Sequence, residues 1–136
     1  MFAWSVRMAR ILIVDDEMRG SRSLESALRL EAVDVVFAEC ASHAMALMAA
    51  EPFDLVVLDL MRSDITGLEL ARRIRTAFPS VRTVLTSTYH LSERQLERAD
   101  CGAVGFVPKP FDFTALVSFL VHKTGRDSSP MLPVRH

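Results

Sequence analysis

Five short apolar runs recur along the chain, and they limit its possible folds more than any other feature of the sequence. They cover residues 11–14, 33–38, 55–58, 81–85 and 104–107. The runs are rich in β-branched residues and do not alternate polar with apolar side chains. This pattern is typical of strands that are covered on both faces, as in parallel sheets.

Longer amphipathic stretches separate the runs and predict helices. Apolar side chains recur at the spacing of one helix face in residues 18–30, 41–48, 70–78 and 113–121. The stretch 91–100 is highly charged and has few apolar residues. We therefore expect its helix to lie loosely on the surface.

Signals for helix starts agree with this assignment. Thr66, with Glu69 three residues later, fits a capping box. Ser92 with Gln95 fits the same motif, and Asp112 is placed to cap the last helix. The order is a strand and a helix repeated five times. It predicts an α/β fold, an open, doubly wound five-stranded parallel sheet with helices on both faces.

The composition is that of one globular domain. The chain has 136 residues, 50% of them hydrophobic, and a formal net charge of −1. We expect an N-terminal extension over residues 1–7, one domain over 8–123 and a flexible tail over 124–136. The charge gives no indication of nucleic-acid binding, and no apolar run approaches the length of a membrane span.

The cysteines and the N-terminus indicate the compartment. Cys40 and Cys101 lie far apart without CxxC spacing, which favours buried or half-buried thiols over a disulfide or metal site. The first residues are too few and too poorly patterned for a signal peptide. The sequence therefore predicts a cytoplasmic protein.

Polar residues follow four of the five predicted strands, at the point where each strand ends. They are Asp15, Asp16 and Glu17 after the first, Asp59 after the third, Thr86 and Ser87 after the fourth, and Lys109 after the fifth. The carboxyl ends of parallel strands meet at one edge of the sheet, where ligands bind. Each residue alone has an ordinary explanation as a turn, cap or surface residue. Their occurrence together at one edge favours a functional site.

The chemistry of these residues is consistent with phosphoryl transfer. Asp15, Asp16 and Asp59 would repel one another, and Mg²⁺, which prefers oxygen ligands, would relieve that repulsion. A carboxylate such as Asp59 can act as a nucleophile and form an acyl phosphate. Lys109 offers a positive charge and Thr86 a hydroxyl donor to the phosphoryl oxygens.

At these residues the chain resembles the receiver domains of two-component response regulators. The motifs lie in residues 11–17, 55–61, 84–87 and 105–111, and the resemblance covers residues 8–123. It implies the flavodoxin-like (βα)₅ receiver fold with strand order 2-1-3-4-5 and a cis peptide bond before the proline that follows the lysine.

The resemblance also implies roles for the acidic residues. Asp59 would accept a phosphoryl group from the phosphohistidine of a histidine kinase, or from a small phosphodonor. Asp16 would bind Mg²⁺ directly, Asp15 mostly through water, and Asp59 and the backbone carbonyl of Met61 would complete the protein ligands. No other cofactor is implied.

A conformational switch is implied as well. Thr86 would move toward the phosphoryl group and Lys109 would pair with it. Phe106 would then turn inward and change the face formed by the fourth helix, the fifth strand and the fifth helix. The family often has Tyr at the position of Phe106, so an output that needs a phenol hydroxyl is excluded.

Two further departures from the family lie in the loop after the acceptor. Ser63 stands where Pro is common, and Thr66-Gly67 stands where Asp-Gly usually opens the third helix. Both changes affect the loop beside Asp59 without removing a group that the chemistry needs.

Three functions remain open from the sequence. The first is a phosphorylation-driven switch that acts on a partner or through homodimerisation, catalysing only its own phosphorylation and dephosphorylation, without direct binding to DNA or membrane. The second is a phosphorylation-independent scaffold of the same fold. The third, a small-molecule hydrolase, usually needs a cap domain and a general acid at the position of Met61, which Met cannot supply.

Overall fold

The computed structural model describes residues 8–61 and 65–125 of the chain. The predicted N-terminal extension, Ser63 and residues 126–136 of the predicted tail lie outside the described residues. Within the described part, no helix is both long enough and apolar enough to cross a membrane.

Five strands and five helices alternate along the described part of the chain. The strands are β1 (Ala9–Val14), β2 (Val33–Phe37), β3 (Leu55–Asp59), β4 (Arg82–Ser87) and β5 (Ala103–Pro108). The helices are α1 (Arg22–Leu30), α2 (Ala41–Ala50), α3 (Gly67–Ala77), α4 (Glu93–Ala99) and α5 (Phe113–Lys123). The strands form one parallel sheet in the order β2-β1-β3-β4-β5, which confirms the predicted fold class and strand order.

Two apolar cores, one on each face of the sheet, explain why the strand sequences do not alternate. Leu12 and Val14 of β1 pack in the core under α2 and α3. Ile11 and Ile13 of the same strand pack in the core under α1 and α5. All four side chains are fully buried. Because both faces are covered, every position from Ile11 to Val14 is apolar.

α1 begins later than the sequence pattern predicts. The apolar spacing of residues 18–30 favoured a helix from Met18, but residues 16–20 form a turn and α1 begins at Arg22. Gly20 adopts a φ of 79°, and the Ser21 side chain accepts a hydrogen bond from the amide of Leu24, which caps the helix. Met18 is nevertheless buried, so its apolar character reflects packing rather than helix.

The other helix starts agree with the predictions. Ser92 and Gln95 form a reciprocal capping box at α4, and Asp112 accepts a hydrogen bond from the amide of Ala115 at α5. Thr66 caps α3 through the amide of Glu69. α4 buries none of its side chains, as expected for its charged sequence.

Candidate functional site

The predicted site residues meet at the carboxyl edge of the sheet because the strand register brings them there. Asp59 is the last residue of β3 and lies opposite Thr86 of β4. Asp15 follows β1, which is the neighbour of β3 on its other side. Lys109 follows β5, and its amide donates to the carbonyl of Ser87. Four strands thus bring four polar side chains to one edge.

Lys109 lies at the centre of a cluster that it forms with the carboxylates of Asp15, Glu17 and Asp59. Its ammonium nitrogen Nζ lies 3.0 Å from Asp15 Oδ2, 2.9 Å from Glu17 Oε1 and 3.1 Å from Asp59 Oδ2, and its side chain is only 6% exposed. Burial by itself would lower the pKa of Lys109, but hydrogen bonds to Glu17 and Asp15, together with the charge of Asp15, raise it above its ordinary value. The lysine therefore stays an ammonium ion at neutral pH.

Asp15 is fully buried, and all of its described partners are donors. Its Oδ2 accepts from the hydroxyl of Thr86 at 2.7 Å, in addition to Lys109. Its Oδ1 accepts from the amide of Glu17 at 2.9 Å and, at 3.4 Å, from that of Met18. A buried carboxylate needs such compensation. Asp15 therefore fixes both the turn after β1 and the position of the Thr86 hydroxyl.

Asp59 is more accessible than Asp15. Its side chain is 20% exposed, its Oδ2 contacts Lys109, and its Oδ1 accepts from the amide of Met61 at 3.0 Å. These contacts orient the carboxylate while leaving part of it open to solvent. That combination suits a nucleophile.

The start of α3 is packed against the backbone of Asp59. The amide of Gly67 donates to the carbonyl of Leu60 at 2.9 Å. A Cβ atom at Gly67 would lie only 2.6 Å from the carbonyl oxygen of Asp59. Only glycine allows so close an approach between helix and strand. The Thr66-Gly67 pair therefore keeps the glycine that this contact requires.

The residues present are compatible with Mg²⁺. Three carboxylates share a single ammonium in the cluster, and Asp16, which follows Asp15, is exposed. The cluster thus has excess negative charge that a hard divalent cation would neutralise. Among the described residues, no three His, Cys, Asp or Glu side chains converge in a metal-holding arrangement. Mg²⁺ commonly uses only one or two protein carboxylates and several waters, so a magnesium site does not require three such side chains.

Glu17 also contacts Lys109, although the residue pattern predicted no role for it. The only signal was its position directly after the acidic pair at the end of β1. Phe106, in contrast, lies on β5 away from the carboxylates, partly buried against the core of α2 and α3. The peptide bond between Lys109 and Pro110 is cis, as the resemblance implied.

Comparison with known proteins assigns the family. The model of the response regulator receiver domain matches residues 11–121. The chain belongs to this family. As a receiver domain of two-component response regulators, it is a signalling domain rather than an enzyme of metabolism.

Relatives and solved structures agree with this assignment. The receiver domain is 34% identical to Response regulator MprA of Mycobacterium sp. (strain KMS) over 128 residues, which are 91% of this chain and 55% of that protein. The chain thus spans about half the length of this curated relative. A CheY-like receiver domain protein from Methanospirillum hungatei JF-1 matches with a TM-score of 0.74 at 26% identity, covering 87% of this chain and 94% of that one.

A third comparison bears on the ligand. The response regulator TrrA from Thermotoga maritima, solved in complex with Mg²⁺ and beryllofluoride, matches with a TM-score of 0.69 at 30% identity. The match covers 85% of this chain and 99% of that one. The Mg²⁺ and beryllofluoride belong to that structure.

Proposed function

We propose that this receiver domain accepts a phosphoryl group on Asp59 in a Mg²⁺-dependent reaction and thereby switches a partner-binding face. The observation that carries the proposal is the position of Lys109, whose ammonium lies 3.1 Å from Asp59 and 3.0 Å from Asp15. Phosphoryl transfer depends mainly on positioning and charge neutralisation, and a fixed cation beside a partly exposed carboxylate meets both requirements.

The transfer makes one bond and breaks one. A carboxylate oxygen of Asp59 bonds to phosphorus while the bond from phosphorus to the donor breaks, and the donor keeps the electron pair. The donor is the phosphohistidine of a histidine kinase or phosphotransfer protein, or a small molecule such as phosphoramidate. Asp16, Asp59 and the Met61 carbonyl would hold Mg²⁺, with Asp15 acting through water, and the ion would supply positive charge to the phosphoryl oxygens.

Residues of the chain would then stabilise the acyl phosphate. Lys109 contributes its ammonium to a phosphoryl oxygen, and the Thr86 hydroxyl turns from Asp15 to another. Thr86 adjoins Ser87, a small residue, and Leu85, which lies opposite Phe106 in the sheet. A shift of β4 that follows the turn of Thr86 would therefore reach Phe106 through Leu85 and let its ring turn inward.

The face that would change lies between α4, β5 and α5. An open groove of about 1080 Å³ runs along this face, and Phe106 is one of its lining residues. Because α4 has no fully buried side chain and packs on the core only through the partly buried Leu96 and Ala99, moving it costs less packing energy than moving a helix with a buried face. A downstream protein, or a second copy of the domain, would bind here. We propose that the domain itself binds neither DNA nor membrane and that the protein is located in the cytoplasm.

The second candidate is a scaffold that works without phosphorylation.

The experiment that separates the two candidates is incubation with acetyl phosphate or phosphoramidate, with and without Mg²⁺, followed by intact mass measurement. The proposed function predicts a Mg²⁺-dependent mass gain of one phosphoryl group. No gain at saturating donor would contradict it and favour the scaffold.

A further inference from the structure

Glu17 contacts the catalytic lysine but has no part in the proposed transfer. Its Oε1 atom lies 2.9 Å from Lys109 Nζ, and its side chain is 66% exposed. An ammonium has three donor hydrogens. In this site, the three carboxylates of Asp15, Asp59 and Glu17 surround it. A phosphoryl oxygen that approaches Lys109 has to compete with these three contacts.

One of these three carboxylates must therefore release Lys109 when a phosphoryl group arrives. Asp15 is fully buried and is also held by the hydroxyl of Thr86, so its release would leave a charge in the protein interior. Asp59 is the nucleophile and stays in place. Glu17 is mostly exposed and can exchange its contact with Lys109 for water at small cost.

We propose that Glu17 is a positioning residue that holds Lys109 in the unphosphorylated site and restrains phosphorylation until it is displaced. The inference rests on the proposed phosphoryl transfer. In the exchange, the hydrogen bond from Lys109 to Glu17 is replaced by one from Lys109 to a phosphoryl oxygen, and the Glu17 carboxylate turns to solvent. No proton is transferred in this exchange. The Asp59–phosphorus bond forms as the bond from phosphorus to the donor breaks.

The test compares Glu17→Gln with Glu31→Gln. Both substitutions remove one negative charge, but Glu31 follows α1 at the opposite edge of the sheet and is exposed. The phosphorylation rate is measured against phosphoramidate concentration with saturating Mg²⁺. Binding of beryllofluoride, a non-covalent analogue of the phosphoryl group, is measured in parallel by ¹⁹F NMR.

The expected result is that Glu17→Gln lowers the half-saturating phosphoramidate concentration and the beryllofluoride dissociation constant by about three- to tenfold, the size expected for one close charge in a wet site. Glu31→Gln should match wild type. Repeating the measurements at about 0.1 M and about 1 M salt shortens the screening length from about 10 Å to about 3 Å. A direct contact with Lys109 predicts that much of the gain persists at high salt.

The remaining outcomes overturn the inference in distinguishable ways. If wild type takes up phosphoryl group and beryllofluoride but Glu17→Gln behaves like Glu31→Gln, or reacts more slowly, Glu17 does not restrain Lys109 and the proposed function stands. A gain that disappears entirely at high salt reduces Glu17 to a general surface charge. If wild type takes up neither ligand, the proposed function fails and this inference fails with it.

Discussion

Gly67 begins α3 directly on the backbone of Asp59, so close that a Cβ atom would lie 2.6 Å from the Asp59 carbonyl oxygen and 2.7 Å from the Cα of Leu60. The helix and β3 are therefore in direct backbone contact at this point. The position of Asp59, the proposed acceptor, depends on a residue that has no side chain.

Gly67→Ala should consequently destabilise the domain by about 1–3 kcal/mol, because backbone atoms must move to admit the methyl group. The matched control is Gly105→Ala, where the close neighbour is the end of the Phe119 ring, a side chain that can rotate away. Urea unfolding checks both variants. Equal losses in the two variants would show that the contact with Asp59 has no special importance.

The C-terminal end of α4 is held by arginines of α3. Arg75 donates to the carbonyl of Asp100 at 2.9 Å and contacts its carboxylate at 3.2 Å, and Arg72 donates to the carbonyl of Ala99 at 2.6 Å. α4 has no fully buried side chain, and these bonds supplement the packing of the partly buried Leu96 and Ala99 against the core.

Arg75→Ala should therefore loosen α4 while changing global stability by less than about 1 kcal/mol, because the bonds are exposed. Hydrogen exchange read by mass spectrometry should show faster exchange in residues 93–100. Arg73→Ala is the control, because the described contact of Arg73 is with Glu69 on its own helix. Unchanged exchange in Arg75→Ala would show that other contacts hold α4.

Lys109→Met should destabilise the metal-free domain by about 1–3 kcal/mol. The substitution leaves the buried carboxylate of Asp15 without its cation and close to Asp59. Mg²⁺ should then bind more tightly than in wild type and reduce the loss of stability. Thermal unfolding with and without Mg²⁺, together with calorimetric titration, measures both effects.

The control for Lys109→Met is Lys123→Met, which removes a lysine that packs over the Phe119 ring on α5. It should leave Mg²⁺ affinity unchanged. Weaker Mg²⁺ binding by Lys109→Met would contradict the conclusion that the cluster has excess negative charge.

Thr86→Val should lower the free energy of unfolding by about 1–3 kcal/mol, because it removes the 2.7 Å hydrogen bond to the buried carboxylate of Asp15. Thr86→Ser keeps the hydroxyl and should cost only about 1 kcal/mol for the lost methyl group. The comparison is made by urea unfolding. If Thr86→Ser lost as much stability as Thr86→Val, packing of the methyl group rather than the hydrogen bond would explain what Thr86 contributes.

The fold was predictable because two-sided burial leaves a direct signature in sequence. Mainly apolar runs marked all five strands, and the caps at Thr66, Ser92 and Asp112 marked three helix starts. The predicted start of α1 was wrong because Met18 lies in a turn, where its apolar side chain packs in the core. Periodicity alone cannot distinguish such a residue from one in a helix.

The site was predictable only in part, for a related reason. Residues at strand ends are brought together by the sheet, so Asp15, Asp59, Thr86 and Lys109 could be placed at one edge from their position alone. The contact of Glu17 with Lys109 depends on the turn after β1, whose path the sequence pattern does not fix. The contact of Arg75 with Asp100 depends likewise on how α3 and α4 pack.

The most direct test of the central claim is intact mass measurement of Asp59→Asn and Asp54→Asn beside wild type, after treatment with phosphoramidate and Mg²⁺. The two substitutions make the same chemical change at opposite ends of β3, since Asp54 directly precedes the strand and Asp59 is its last residue. The Asp54 carboxylate accepts a hydrogen bond from the amide of Arg10, far from the cluster. We predict one added phosphoryl group in wild type and Asp54→Asn and none in Asp59→Asn. Phosphoryl uptake by Asp59→Asn equal to that of wild type would contradict the assignment of Asp59 as the acceptor.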